Sequence, residues 1–201
     1  MANTGNKNAQ RAAVAVNPTK IITGVCRLSY ANIWQAKSIN GGAPKYSASV
    51  LIPKSDTMTV AKVKAAIQAA YEEGEGKLKG NGKTVPPLAS LKTPLRDGDT
   101  DRPDDEAYAG HWRLNANSHI PPGVVDANRE PIYDTSEIYS GVYARVSLTF
   151  YTFNSNGNRG IACGLQNIQK VRDGESLGSR TKAEDDFDDG FDTDSVEDFL
   201  G

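Results

Sequence analysis

The chain has 201 residues with a net charge of −2, and 38% of them are hydrophobic; this length suits one domain with a substantial core. Its two cysteines make no disulfide framework, and no segment approaches the roughly 20 apolar residues of a membrane span. Residues 1–19 lack the apolar run of a signal peptide, so we expect an intracellular protein that is not embedded in a membrane.

The N-terminal part predicts a polar, disordered arm over residues 1–19 and a strand that starts at Lys20. Gly24 predicts a bulge or bend in this strand, whose residues of one parity are Ile22, Cys26, Leu28 and Tyr30. A turn is expected at Asn40-Gly41-Gly42. The next strand ends at Pro53 and has one face formed by Tyr46, Ala48, Val50 and Ile52.

Residues 57–73 predict the one clear helix, because apolar side chains recur at helical spacing, at Val60, Val63, Ile67 and Ala70. Asp56 or Thr57 can cap its first turn. The glycine-rich segment 74–83 is expected to be a flexible loop, and the acidic segment 96–106 is expected to be irregular. Residues 111–117 predict a short strand.

The strongest strand signal lies in residues 141–153. One face is apolar, with Val142, Ala144, Val146, Leu148 and Phe150. Asn156-Gly157 predicts a hairpin turn, and residues 161–171 form the returning strand. About five strands, one helix and long loops favour a mainly β protein, an OB-like five-stranded barrel with a disordered acidic C-terminal tail. The predicted domain spans residues 20–182.

The tail, residues 183–201, holds nine acidic side chains, no basic one and three phenylalanines. The preceding 182 residues hold 23 basic and 16 acidic groups, which is a net charge of +7. Segments of like charge are typical of disordered interaction tails. The tail can imitate a nucleic-acid strand, and its expected partner-binding residues are Asp185, Asp186, Phe187, Asp188, Asp189, Phe191, Glu197, Asp198 and Phe199.

The second face of strand 141–153 carries rings and a cation where solvent-facing residues are usually small and polar. Bases stack on aromatic rings whatever their sequence, and arginine pairs with phosphate or stacks on a base. Two interpretations stay open for this face: a base-stacking platform, or a face covered by another element. The candidate DNA-binding residues are Trp34, Lys37, Lys45, Tyr46, Lys77, Lys79, Lys83, Trp112, Arg113, Tyr139, Tyr143, Arg145, Tyr151 and Phe153.

The acidic segment also permits a second reading, a metal-dependent nuclease. Its carboxylates lie within one loop, whereas metal ligands usually come from separate rigid elements, and its start departs from a calcium-binding loop at Arg102. The carboxylates concerned are Asp97, Asp99, Asp101, Asp104, Asp105 and Glu106. The cysteines and histidines show no paired spacing typical of zinc. We therefore expect no metal, no cofactor and no catalytic residue.

Several long motifs in this order resemble a family of bacteriophage single-stranded-DNA-binding proteins of the podovirus type, formerly a domain of unknown function: KSINGGAPKYSASVLIPKSD, KTPLRDGD, YAGHWRLNANS, SEIYSGVYARVSLTFYTFN and GIACGLQNIQKVRDGESLG. The resemblance spans about residues 20–180. It implies an OB-fold, no enzymatic activity, and a role in phage DNA replication, recombination and repair. It also implies that the tail engages replication proteins in the cytoplasm of the infected bacterium. Here Leu200 and Gly201 follow Phe199, whereas such tails often end in an aromatic residue.

The sequence therefore predicts sequence-independent binding of single-stranded DNA, with the tail competing for the DNA groove and recruiting a polymerase, helicase or recombinase. An RNA-binding OB protein shares the same physical features, because nothing in the sequence detects a 2′-hydroxyl. A structural virion protein is a further alternative. A homodimer is left open, since the tail can also reach the groove of a second subunit.

Overall fold

A computed structural model describes residues 17–38 and 41–178. Most of the predicted N-terminal arm and the whole predicted tail lie outside these residues, as does Asn40 of the predicted turn. The described strands are β1 (Lys20–Ile22), β2 (Cys26–Lys37), β3 (Lys45–Pro53), β4 (Leu95–Asp97), β5 (His111–Ser118), β6 (Gly123–Val125), β7 (Tyr143–Ser155) and β8 (Asn158–Arg172). The α-helices are α1 (Thr57–Glu73), α2 (Glu75–Lys79) and α3 (Gly98–Asp101).

The five long strands close into a ring. β2 pairs with β3, β3 with β5, β5 with β8, β8 with β7, and β7 with β2. All these pairings are antiparallel except β5–β8, which is parallel and joins Asn117 to Gly164. The three-residue strands β1, β4 and β6 attach to the outside of this path, on β7, β5 and β8. The prediction of a mainly β, OB-like barrel with five strands is confirmed.

The alternation of β7 explains the core. Its apolar face from Val142 to Phe150 is buried inside the ring, as the sequence predicts. The hairpin to β8 turns at Asn156 and Gly157, whose φ angles are 50° and 84°. Two successive residues with positive φ match the twist of the flanking strands, which is why an Asn-Gly pair joins them. The register therefore places Ser155 opposite Asn158.

Helix α1 packs against β7 and β1, and its bounds match the prediction. The Asp56 side chain caps it by accepting a hydrogen bond from the backbone N–H of Thr59 at 3.0 Å. All four apolar residues of the predicted stripe are buried in the core. Burial of this stripe, and not the propensity of an isolated helix, holds α1 on the barrel. None of the helices in the described ranges has the length and apolarity needed to cross a bilayer.

Three local predictions are wrong. The first strand breaks at Gly24 as expected, but its residues of one parity do not share a face, because Ile22 of β1 is exposed whereas Cys26 and Leu28 of β2 are buried. Segment 74–83 is partly helical, since α2 buries Leu78 completely. The acidic segment is also ordered, as β4 followed by α3.

Candidate nucleic-acid interface

A cleft of about 790 Å³ lies over the outer face of β2, β3 and β5. Its floor consists of small residues, because the outward positions of the paired strands carry serine and asparagine. Ser49 lies opposite Asn115 and donates a hydrogen bond of 2.6 Å to its Oδ1. Ser47 likewise lies opposite Asn117. A floor of small polar side chains leaves room for a flat or extended ligand.

The cleft is cationic. Lys37, Lys45, Arg102 and Arg113 line it, and no carboxylate of the described residues does. Lys37 and Lys45 are direct cross-strand partners in the β2–β3 register. Like charges placed opposite each other on paired strands disfavour the free protein, so this arrangement is typical of a surface that receives an anion.

Arg113 is held differently from the two lysines. Its guanidinium forms an ion pair of 2.5 Å with Asp101, and its side chain is only 13% exposed. Its Nε is buried without a hydrogen-bond partner among the described residues. Lys37, Lys45 and Arg102 make no ion pair within the described part of the chain. These three cations are therefore the ones free to neutralise phosphates.

The acidic segment serves as a scaffold beside the cleft. The Lys54 ammonium lies 2.6 Å from Asp97 and 2.7 Å from Asp99. These hydrogen bonds raise the pKa of Lys54. Asp99 accepts hydrogen bonds from Lys54 and from the Gly110 N–H, and both lower the pKa of Asp99. Asp97 and Asp99 thus share the Lys54 ammonium, and Asp101 pairs with Arg113. No group of three or more His, Cys, Asp or Glu residues in the described ranges is arranged to hold a metal ion.

The predicted face of β7 lies outside the cleft. Tyr143 is half-buried, and two guanidinium groups lie over its ring. The guanidinium of Arg172 is 3.5 Å from the ring centroid, and that of Arg27 is 5.7 Å from it. Arg145 is exposed and donates a hydrogen bond of 3.3 Å to the carbonyl of Thr23. Tyr151 is 44% exposed and Phe153 is half-buried. This face is thus partly open, and its role as a stacking platform stays a prediction.

The other predicted aromatic residues are half-buried in separate places. The Trp34 Nε1 donates a hydrogen bond of 3.3 Å to the carbonyl of Ile138, and Tyr139 donates one of 2.8 Å to Gly174. Trp112 lies beneath the ammonium groups of Lys54 and Lys64, at 5.4 and 5.6 Å from its ring. None of these rings, nor Tyr46, lines the cleft.

The predicted loop lysines lie together elsewhere, on and after α2. Lys77, Lys79 and Lys83 are exposed, and the Asn154 side chain of β7 holds this segment by donating to the carbonyl of Lys77 at 2.9 Å. Of the predicted set, the cleft therefore unites only Lys37, Lys45 and Arg113.

Sequence reasoning missed Tyr30 and Arg102, which both line the cleft. The parity of the first strand grouped Tyr30 with Cys26 and Leu28, which are buried, but a bulge between Ser29 and Asn32 turns Tyr30 to the outer face. Arg102 lies in a segment with six carboxylates, so a count of charge along the chain gives this segment a net negative charge. The sequence did contain one signal for this face: serine and asparagine recur at every second position of β3 and β5, which is typical of a sheet face that no other element covers.

The chain is similar in sequence to phage proteins. Residues 19–200 match the family described as Enterobacter phage Enc34, ssDNA-binding protein. Protein p50 of Acyrthosiphon pisum secondary endosymbiont phage 1 is 33% identical over 175 residues, which cover 85% of this chain and 93% of p50.

Two solved structures share the fold. The single-stranded DNA-binding protein of bacteriophage Enc34 in complex with ssDNA is 25% identical, with a TM-score of 0.64, over 81% of this chain and 91% of that one. The single-stranded DNA-binding protein gp2.5 of bacteriophage T7 is 16% identical, with a TM-score of 0.56, over 81% of this chain and 97% of that one. The second likeness concerns the fold alone.

Proposed function

Because the chain belongs to the phage family of Enc34 ssDNA-binding proteins, we propose that it binds single-stranded DNA in the cleft over β2, β3 and β5. The observation that carries this proposal is the lining: four cationic side chains and an exposed tyrosine, without a carboxylate of the described residues. In OB-folds the second and third strands of the barrel and the loop between the first two commonly receive oligonucleotides. Here those strands are β3 and β5, and Gly42 and Ala43 of that loop line the cleft.

Binding in this cleft is independent of sequence. Lysine ammonium groups neutralise backbone phosphates, and stacking uses the face that every base has. Duplex DNA hides its base faces, so it binds more weakly than a single strand. One barrel covers on the order of 4–16 nucleotides. This activity suits replication in the cytoplasm of an infected bacterium.

The acidic tail acts as a tethered competitor for the same cleft. A flexible tether presents its ligand at about millimolar effective concentration, so even a weak contact between tail and cleft is partly occupied. A DNA strand has a denser charge and displaces the tail, which then recruits replication proteins through its phenylalanines. The carboxylates of residues 183–201 and the net charge of +7 over the rest of the chain support this exchange.

A fluorescence titration tests the DNA proposal directly. Labelled oligothymidylate, the matched RNA and the matched duplex are each titrated with the protein across a series of salt concentrations. Single-stranded DNA is expected to bind most tightly, with an affinity that falls as salt rises. Equal affinity for the duplex, or an affinity that does not respond to salt, would contradict binding through a cationic cleft. Preference for the RNA would favour the RNA-binding alternative.

A chain that ends at Lys182 tests the tail. It is expected to bind oligothymidylate more tightly than the full chain, and most clearly at low salt, because the intramolecular competitor is gone. Addition of the separate peptide 183–201 should weaken the truncated protein's binding again. Unchanged or weaker binding after truncation would remove self-competition and leave the cleft proposal intact.

A further inference from the structure

Tyr30 is held in an unusual backbone conformation inside the cleft. Its φ is 47°, in the left-handed region that residues with a Cβ rarely adopt. Neighbouring contacts fix this geometry, since the Asn32 side chain donates to the carbonyl of Tyr30 at 3.1 Å and the Ala31 N–H donates to Ser140 at 3.1 Å. Strain of this kind persists where the surrounding structure enforces it, and it is concentrated at functional sites.

The result of this conformation is an exposed ring. Tyr30 is 55% exposed, although it lies in the middle of a long strand of a closed barrel. Cys26 and Leu28, four and two positions earlier, are buried in the core. The bulge therefore takes a residue of the inward parity and places its ring in the cationic cleft. A ring needed only for packing would stabilise the fold more if it were buried in the interior.

Arg102 supports this ring. Its guanidinium lies 5.7 Å from the ring centroid of Tyr30 and equally far from that of the buried Tyr108. Arg102 is the residue that ends α3, a helix whose start is fixed by the contacts of Asp97 and Asp99 with Lys54. The ordered acidic segment thus presents one cation to the cleft and sets it on the exposed ring.

We propose that Tyr30 is the base-stacking site of the cleft and that Arg102 is the positioning residue that holds its ring. The ligand class is an unpaired nucleobase, and the inference rests on the proposed function. Lys37 and Lys45 line the same cleft and offer charge without a ring, so they hold phosphates while Tyr30 holds a base. Recognition is thereby divided between two kinds of contact that separate probes can measure.

The experiment crosses a protein change with a ligand change. Oligothymidylate of about 12 nucleotides and an abasic strand of equal length are titrated with the unchanged protein and its variants. Tyr30→Asn removes the ring, and asparagine tolerates the left-handed backbone, so the variant is expected to fold. Tyr30→Phe keeps the ring. Tyr133→Ala is the matched control, because Tyr133 is 85% exposed and does not line the cleft.

Tyr30→Asn is expected to weaken binding of oligothymidylate by about 10-fold and binding of the abasic strand by less than about 2-fold. Tyr30→Phe and Tyr133→Ala should stay within about 2-fold on both ligands. Arg102→Ala should weaken both ligands and also reduce the preference for oligothymidylate, which loss of a charge alone would not do. Equal weakening of both ligands by Tyr30→Asn, or no weakening, would overturn the stacking site.

The cleft itself is tested separately by its lysines. If Lys45→Gln lowers the salt dependence of binding while Tyr30→Asn changes neither ligand, the cleft proposal stands and the stacking site fails. If neither variant changes binding and Tyr151→Ala does, the strand contacts the β7 face and both proposals fail.

Discussion

The opposed pair Lys37 and Lys45 leads to a prediction in which stability and binding change in opposite directions. The two side chains extend from directly paired positions. For ammonium groups about 6–10 Å apart, the repulsion in water is roughly 0.4–0.7 kcal/mol. Lys45→Gln removes this repulsion. The free energy of unfolding should therefore rise by about 0.5 kcal/mol at low salt, which raises the melting temperature by about 1–2 °C.

The same change should weaken DNA binding. Each phosphate that is neutralised contributes about 0.7 to the slope of log affinity against log salt for single strands. Lys37, Lys45 and Arg102 make no ion pair among the described residues. If these three cations contact phosphates, affinity should fall about 20-fold between about 50 and 200 mM salt; with two, about 7-fold.

Thermal unfolding of the free protein and anisotropy titrations with oligothymidylate, each over a salt series, measure the two effects. The gain in stability should vanish near 1 M salt, where the Debye length is about 3 Å. Lys20→Gln, an exposed lysine of β1 outside the cleft, is the control and should change neither quantity. A Lys45→Gln variant whose salt slope equals that of the unchanged protein would refute the assignment of the cleft to the DNA backbone.

Three further predictions concern stability and reactivity. Hydrogen bonds at the start of α1 lower the pKa of Asp56 below its unfolded value. The cap therefore stabilises the protein above about pH 4 and loses its effect as pH falls through the folded pKa. In urea unfolding, Asp56→Ala should lower the free energy of unfolding by about 1 kcal/mol at pH 7 and by much less at pH 2. Burial raises the pKa of Cys26 to about 12 and also raises that of Cys163, so neither thiol should react with a disulfide reagent at pH 8 until denaturant is added; rapid native labelling would contradict this. Gly160→Ala would place a Cβ 2.3 Å from the carbonyl oxygen of Lys92. The free energy of unfolding should therefore fall by about 1–3 kcal/mol, as measured by thermal unfolding. An unchanged melting temperature would show that the backbone at Lys92 moves away without cost.

The parts of the fold that follow from local pattern were predictable from the sequence. The alternation of β7, the Asn156-Gly157 turn and the stripe of α1 depend on residues close together in the chain, and the structure has each of them where expected. The helicity of α2 was not predictable in this way. It depends on burial of Leu78 and on a hydrogen bond from Asn154, which lies 77 residues away.

The candidate site was less predictable, because strand parity fails at a bulge. One extra residue between Ser29 and Asn32 turns Tyr30 outward, and nothing in the local composition marks it. Arg102 could not be separated from its acidic neighbours without knowing that Asp97 and Asp99 pair with Lys54 and that Asp101 pairs with Arg113. The lysines of the cleft were found because they lie close in sequence to Trp34 and Tyr46, although neither of these rings lines the cleft.

The ring of strands has a consequence for biosynthesis. β8 forms two of the five seams of the barrel, with β7 and with β5, and it is the last described strand in the chain. A polypeptide still on the ribosome cannot complete the barrel before residue 172 has emerged. Folding must then join segments more than a hundred residues apart, such as Cys26 and Ala144, which is slow compared with forming local hairpins. Incomplete translation products consequently expose open strand edges, which favours their aggregation or proteolysis over partial activity.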